Sequence, residues 1–283
     1  MAGSASIRLE IARRRVEFAC RCLLRRPALE DARLYDLVGH LNSGAPSRKH
    51  RNDYAQLLEV ATPADDLRII RTSKPANLRY RAGQSAKLEL SGVRRRYSFA
   101  SIPNDEWLEF FVELRPGGKF SEQLRDAKPG VELRVDGVKG KLSLQEGARY
   151  HLMVATVTGL SPLLSLLRDH WTSETSTEQR FIVLQGASYR NEFGYAPVLA
   201  ELAHKHSGEL LYLPTVSRPD AEENRGWDGA TGRVEQWVDP VIDSLELRPT
   251  NTAIYACGQP DMVQAVKARY EAGGFVVRTE PYD

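Results

Sequence analysis

The hydrophobic rhythm of this sequence changes once, near residue 150, and that change restricts the chain to few architectures. Before it, apolar residues alternate over short runs. In Trp107–Arg115, Leu108, Phe110, Val112 and Leu114 share one face, while Glu109, Glu113 and Arg115 share the other. That period of two predicts a half-buried antiparallel strand. Leu67–Thr72, Ser85–Leu90, Arg95–Ser101 and Val131–Asp136 predict further strands, separated by turn-forming clusters at Lys74–Asn77, Arg81–Gly83, Pro103–Asp105 and Lys128–Gly130. Short strands so spaced predict a small antiparallel β-barrel. After residue 150 each apolar run is followed by a helical segment. The runs are His151–Val157, Arg180–Leu184, Glu209–Val216 and Thr252–Cys257, with helices at about 162–170, 196–206, 231–243 and 260–272. This βαβα alternation predicts a doubly wound α/β domain with a parallel sheet.

At 283 residues the chain has room for about two domains. The expected division is an N-terminal extension over 1–54, a barrel over 55–147 and an α/β domain over 148–283. In the extension, Leu23, Leu24, Leu34, Leu37, Val38 and Leu41 have loosely helical spacing broken by Pro27, which predicts two short helices. A linker, Asn42–Ser47, and a basic run, Arg48–Arg51, follow. Such an extension suits partner docking, dimerisation or a cap on the barrel.

Composition removes several function classes. Lys and Arg number 39 against 37 Asp and Glu, a net charge of +2. A nucleic-acid binder that neutralises phosphates is normally far more basic. No run of about 18 apolar residues exists, so no membrane span is expected. Arg8, Glu10, Arg13–Arg15, Glu17 and Arg21 interrupt Ile7–Leu24, so no secretory signal is expected. Three cysteines, Cys20, Cys22 and Cys257, suit a reducing cytoplasm better than a disulfide framework. They are too few for a four-thiolate iron–sulfur cluster, and Cys20-Arg21-Cys22 is too sparse for structural zinc, so no metal site is expected.

Eight segments carry residue types suited to nucleotide chemistry. Arg95-Arg96-Tyr97-Ser98 offers a guanidinium fork, an aromatic face and a hydroxyl. Gly117-Gly118-Lys119-Phe120-Ser121 combines close backbone approach with a helix expected to open at Ser121. Gly137-Val138-Lys139-Gly140 follows the last barrel strand. Val154–Ser165 contains Thr158-Gly159 and Pro162 at a strand-to-helix turn, where open α/β sheets bind ligands. Thr215-Val216-Ser217-Arg218 and Gly229–Val234, the latter with Arg233, together offer two forks to a dianion. Cys257-Gly258-Gln259-Pro260-Asp261-Met262 ends an apolar strand, and Glu280-Pro281-Tyr282-Asp283 ends the sequence. Singly, each also suits an ordinary strand, turn or surface loop.

In order and spacing these segments resemble the ferredoxin–NADP reductase superfamily of flavoproteins, over about residues 55–283. The resemblance implies an antiparallel FAD-binding barrel followed by an NAD(P)-binding α/β domain. It implies that Arg95, Tyr97 and Ser98 hold FAD at the pyrophosphate, the flavin ring and N5, with Gly118 and Ser121 as a second FAD contact. Thr158, Gly159 and Pro162 match the loop for the nicotinamide dinucleotide pyrophosphate, although Ala155, Thr156 and Val157 replace three family glycines. Ser217, Arg218 and Arg233 match the clasp on the 2′-phosphate, which implies NADP(H), with Asp220, Glu222 and Glu223 nearby. Cys257 and Gly258 match positions beside the nicotinamide. Glu280 and Tyr282 match the carboxylate and flavin-covering aromatic of plant-type members, from which Asp283 departs. Ser98, Cys257, Glu280 and Tyr282 are thereby the implied catalytic residues.

The implied activity is hydride transfer between NADP(H) and FAD, with single electrons passed to or from an external carrier such as ferredoxin or flavodoxin. Arg94–Arg96 and the basic extension are candidate attractors for an acidic carrier. Three alternatives stay open: the reductase component of a multicomponent oxygenase, a small-molecule flavin or quinone reductase, and a non-catalytic nucleotide-binding subunit.

Overall fold

The structure, a computed structural model, describes residues 53–172 and 178–281. The expected helical extension, Cys20, Cys22, Tyr282 and Asp283 lie outside the described residues.

The first half is all antiparallel pairing. Its strands are β1 (Tyr54–Ala61), β2 (Leu67–Ser73), β3 (Ser85–Leu90), β4 (Val93–Ser98), β5 (Trp107–Glu113) and β6 (Glu132–Lys139), with a short helix α1 (Lys119–Arg125) before β6. The sheet order is β4-β3-β6-β1-β2-β5. A bridge between Phe99 and Phe110 joins the chain beyond β4 to β5, so the sheet curls back on itself. Phe99, Phe110, Leu88, Ile70, Leu57 and Val135 fill its interior.

The second half is a parallel sheet of order β10-β9-β8-β7-β11-β12. Its strands are β7 (Tyr150–Thr156), β8 (Arg180–Ala187), β9 (Leu210–Val216), β10 (Ala230–Thr231), β11 (Thr252–Gly258) and β12 (Val276–Pro281). Helices α2 (Leu160–Thr172) and α3 (Ala196–Lys205) pack on one face, and α4 (Val238–Ser244) and α5 (Pro260–Ala272) on the other. The order reverses beside β7, which places a ligand crevice at the carboxyl ends of β7 and β11.

Several expectations shift. The expected strand Arg95–Ser101 instead spans Val93–Ser98, because Ser91 and Gly92, both at positive φ, form a tight hairpin with β3. The helix expected at 231–243 starts only at Val238, after the short strand β10 and a 3-10 turn over Val234–Trp237. β1 and β12 match no expected run.

The largest correction concerns β5. Part of its expected solvent face is buried: Glu109 and Phe111 are each 2% exposed, whereas Glu113 and Arg115 are exposed as expected. That face meets the second half of the chain, where Phe111 joins the core cluster of Leu163, Leu167 and Tyr195.

Candidate active site

Two cavities open where the halves meet. The first, about 420 Å³, is walled by Arg95, Tyr97, Ser98, Gly118, Ser121 and Glu280 among others. The second, about 490 Å³, lies over the carboxyl ends of the parallel strands and is walled by Thr156, Val157, Ser217, Arg233 and Gly258 among others. Glu113, Arg115 and Thr158 line both. Ligands in the two cavities would therefore share a wall.

In the first cavity β4 supplies the aromatic and the hydroxyl. The Tyr97 ring packs on Phe120 with centroids 5.4 Å apart. Burial pushes its phenol up to about 12, so it stays neutral near pH 7. Ser98 is buried and pairs with Ser85 across the sheet. The three neighbouring arginines have separate fates. Arg94 pairs with Glu89 at 3.4 Å and with Asp136. Arg96 donates to the Gly137 carbonyl at 2.9 Å and to the carbonyl and hydroxyl of Ser85. Arg95 alone of the three donates only to a neighbouring carbonyl, that of Arg94 at 2.8 Å, and makes no ion pair among the described residues. Its fork is the one available to an anion.

Ser121 does not open α1, as expected from sequence. Gly118 takes the N-cap position, and Ser121 lies in the first turn with its hydroxyl accepting the Arg115 N–H at 2.9 Å. A Cβ at Gly118 would sit 3.0 Å from the Arg115 carbonyl oxygen. The Gly118–Ser121 pair thus fixes Arg115, which sequence reasoning missed and which lines both cavities.

In the second cavity β7 ends in a 3-10 turn, Val157–Gly159, that leads into α2. Val157 adopts φ +40°, a left-handed conformation that a β-branched residue rarely takes. The resemblance puts a glycine there, and the backbone keeps the glycine-like path without it. Thr156, at another replaced position, accepts the Gln259 N–H through its hydroxyl at 2.8 Å. It thereby joins the β7–α2 loop to the β11–α5 loop. Gly159 carries the close approach, since a Cβ there would fall 2.2 Å from the Cys257 carbonyl oxygen. Gly258 has φ +125°, and its Cβ would fall 2.2 Å from the Thr156 hydroxyl. Thr158 and Pro162 are buried. Pro162 is the third residue of α2, where a missing N–H costs no helical bond.

Cys257 departs from its expected place. It is 0% exposed, and its thiol lies in the core and lines neither cavity. Burial raises its pKa, so it remains a neutral thiol. Gly258 is the residue of that pair that reaches the cavity. β12 runs beside β11 in register, Glu280 opposite Cys257, which brings Glu280 to the first cavity.

Ser217 and Arg233 line the second cavity, and Arg233 also pairs with Glu235. Arg218 lies beyond the lining. Its guanidinium donates to the Tyr189 hydroxyl at 2.5 Å and sits 5.3 Å from that ring's centroid. Of the nearby acids, Glu222 is paired with Arg225 at 2.8 Å.

The donor set fits two dinucleotides. One cavity joins a guanidinium without an acid partner, a neutral aromatic and a hydroxyl; the other joins glycine-only backbone with serine and arginine.

Comparison with known proteins agrees with this geometry. Residues 55–144 match the oxidoreductase FAD-binding domain family, and residues 153–268 match the oxidoreductase NAD-binding domain family. The flavodoxin/ferredoxin–NADP reductase of Escherichia coli is 31% identical over 202 residues, 66% of this chain and 77% of that protein. The electron transfer component of a 2-halobenzoate 1,2-dioxygenase from Burkholderia cepacia is 30% identical over 189 residues, 66% of this chain but only 53% of that protein. A ferredoxin NADP+ reductase from Neisseria gonorrhoeae, solved with bound FAD and NADP, shares the fold at TM-score 0.69 and 22% identity, covering 81% of this chain and 97% of that one. The chain belongs to the ferredoxin–NADP reductase superfamily, with an FAD-binding barrel followed by an NAD(P)-binding α/β domain.

Proposed function

We propose that the chain is an oxidoreductase that moves a hydride between NADPH and FAD and exchanges single electrons with an external carrier protein such as ferredoxin or flavodoxin. The observation that carries the reading is the wall of Glu113, Arg115 and Thr158 shared by the two cavities. Bound FAD supplies the redox chemistry, taking a hydride and releasing electrons singly.

The chain's own residues bind, orient and supply protons. Arg95 would hold the FAD pyrophosphate through its guanidinium. Tyr97 stays neutral and would pack against the flavin ring, and Ser98 would offer its hydroxyl to the reactive edge of the flavin. Gly118 and Ser121 set the backbone of the loop beneath. Thr158, Gly159 and Pro162 shape the pyrophosphate loop of NADPH, and Gly258 lets the nicotinamide ring approach. Glu280 lines the flavin cavity and is the carboxyl group proposed for proton delivery; the resemblance assigns the flavin-covering role to Tyr282. Ser217 and Arg233, with Arg218 at the rim, neutralise the 2′-phosphate dianion and select NADPH over NADH. Cys257 acts through its backbone, since its thiol is enclosed.

Three cysteines within these 283 residues cannot hold a four-thiolate cluster, so the one-electron partner is a separate centre. No helix among the described residues is long and apolar enough to cross a membrane. We place the protein in the cytoplasm, where Cys257 stays reduced.

The test is anaerobic reduction of the FAD-loaded chain by NADPH and NADH, then cytochrome c reduction with and without ferredoxin or flavodoxin. Carrier-dependent turnover driven preferentially by NADPH supports the reading. The longer dioxygenase relative favours one second reading, that of an oxygenase reductase component. Turnover only with an oxygenase-type ferredoxin would select it.

A further inference from the structure

The face of β5 that sequence reasoning assigned to solvent carries Glu109, Phe111 and Glu113 at alternate positions. These three residues do different jobs along one line. Glu113 walls both cavities. Phe111 meets Tyr195 edge-on at 5.4 Å, and a Cβ on Gly194 would come within 2.5 Å of the Phe111 ring, so the loop before α3 lies directly against the barrel. Glu109 is fully enclosed and accepts three charged or polar donors. Arg71 of β2 reaches one oxygen at 3.0 Å. Arg168 of α2 and the Tyr195 hydroxyl reach the other at 2.8 and 3.1 Å.

Arg168 also donates to the Ala100 carbonyl at 2.9 Å, and Ser165 of α2 donates to the Ser101 carbonyl at 2.6 Å. Ser101 in turn accepts the Glu109 N–H at 3.0 Å. Every one of these polar bonds except the Arg71 and Glu109 N–H bonds crosses from the barrel to the α/β domain. Burial raises the Glu109 pKa, but Arg168 and Arg71 more than offset this, and the group stays a carboxylate. Burial also raises the Tyr195 pKa, which keeps its hydroxyl protonated and able to donate.

A buried ion cluster of this kind is a poor source of net stability, because desolvation consumes the Coulombic gain. Its distinctive property is directional: apolar contacts tolerate sliding, whereas three donors on one carboxylate do not. We propose that Glu109, with Arg168 and Tyr195, is a positioning cluster that fixes the angle between the two domains and so sets where the two cavities meet. Rotation about this seam would carry Phe111 and Glu113 with β5 and change the shared wall. Its consequence for hydride transfer rests on the function proposed above; the fixed domain angle does not.

The test separates positioning from folding. Spin labels on Lys128→Cys in the barrel and Gln264→Cys on α5, both exposed positions, report the interdomain distance in a Cys20→Ser, Cys22→Ser background. In the FAD-loaded chain a single narrow distance is expected. Glu109→Met with Arg168→Met replaces the cluster by apolar groups and leaves Arg71 paired to Glu59 at 3.2 Å. This double variant is expected to melt near the native temperature, to broaden the distance distribution about twofold, and to slow flavin reduction by NADPH about 10- to 100-fold. An unchanged distribution in the folded double variant overturns the proposal, whatever its melting temperature. If the double variant does not fold, Tyr195→Phe decides. It keeps the ring on Phe111 and removes one donor; broadening supports the proposal and an unchanged width overturns it. Failure of the native chain to be reduced by NADPH would instead refute the proposed function and leave the distance result standing.

Discussion

Replacing Gly159 by alanine is expected to destabilise the chain by overpacking alone, without the positive-φ strain that alanine at Gly258 would add. The added Cβ would lie 2.2 Å from the Cys257 carbonyl oxygen and 2.6 Å from both the Cys257 carbonyl carbon and the Gly258 Cα. All three are backbone atoms, so no side chain can rotate away. Ordinary contact requires the β7–α2 and β11–α5 loops to separate by about 1 Å, an overpacking cost of about 1–3 kcal/mol. That separation also stretches the hydrogen bond from the Gln259 N–H to the Thr156 hydroxyl, worth about 1 kcal/mol. Alanine recovers about 0.4–1 kcal/mol by restricting the unfolded chain, which does not offset the loss. The balance is about 2–3 kcal/mol, or a fall in Tm of about 5–10 °C for a fold of this size.

Gly147→Ala is the control, since Gly147 has φ +76° with no atom within 4 Å of its Cβ position. There only the backbone penalty applies, about 1–2 kcal/mol. Circular dichroism melts of both variants, with calorimetric titration of 2′,5′-ADP, read the difference. Gly159→Ala melting within 2 °C of the native chain, or no lower than Gly147→Ala, would refute the packing argument.

Other outcomes follow from the same geometry. His151 is enclosed, with Nδ1 2.8 Å from the Tyr255 hydroxyl, and burial lowers its pKa to about 4. The unfolded chain, with a histidine near 6.5, binds that proton more readily, so stability falls as pH drops from about 6.5 toward 4, by of order 3 kcal/mol. Chemical denaturation at pH 7 and 4.5 reads this, and His151→Phe should flatten the dependence. Arg218→Ala is expected to raise the KM for NADPH about tenfold and leave NADH nearly unchanged, because Arg218 is the charged donor proposed for the 2′-phosphate; equal effects on both would remove Arg218 from the clasp. Arg95→Ala is expected to weaken FAD retention about tenfold or more, read as free flavin after gel filtration, whereas Arg96→Ala should mainly lower Tm because Arg96 is bonded to Ser85 and Gly137.

Much of this was legible in the sequence because it is local. The switch from period-two runs to alternating strands and helices is a property of neighbouring residues, and α5 matches its expected 260–272 span. Gly118, Ser217, Arg233 and Glu280 reach the cavities because each is placed by a short strand or turn around it. What was not legible depends on contacts distant in sequence. Glu109 reads as a solvent-facing acid along β5 and becomes buried only because α2, some 60 residues later, supplies Arg168. Cys257 sits at the right strand end, but its thiol is enclosed because α2, distant in sequence, packs over that face of the sheet. At two of the three positions where the resemblance puts glycine, Thr156 bonds to Gln259 and Val157 takes a left-handed backbone, neither of which is visible from residue type.

On the function proposed here, FAD and NADPH occupy the two cavities and their reactive ends meet at the wall of Glu113, Arg115 and Thr158. Anaerobic stopped-flow mixing of the FAD-loaded chain with NADPH tests it most directly. Rapid bleaching of the flavin absorbance, faster than with NADH, is the predicted result. A chain that retains no FAD, or retains it and is not bleached by either nucleotide, would contradict the claim.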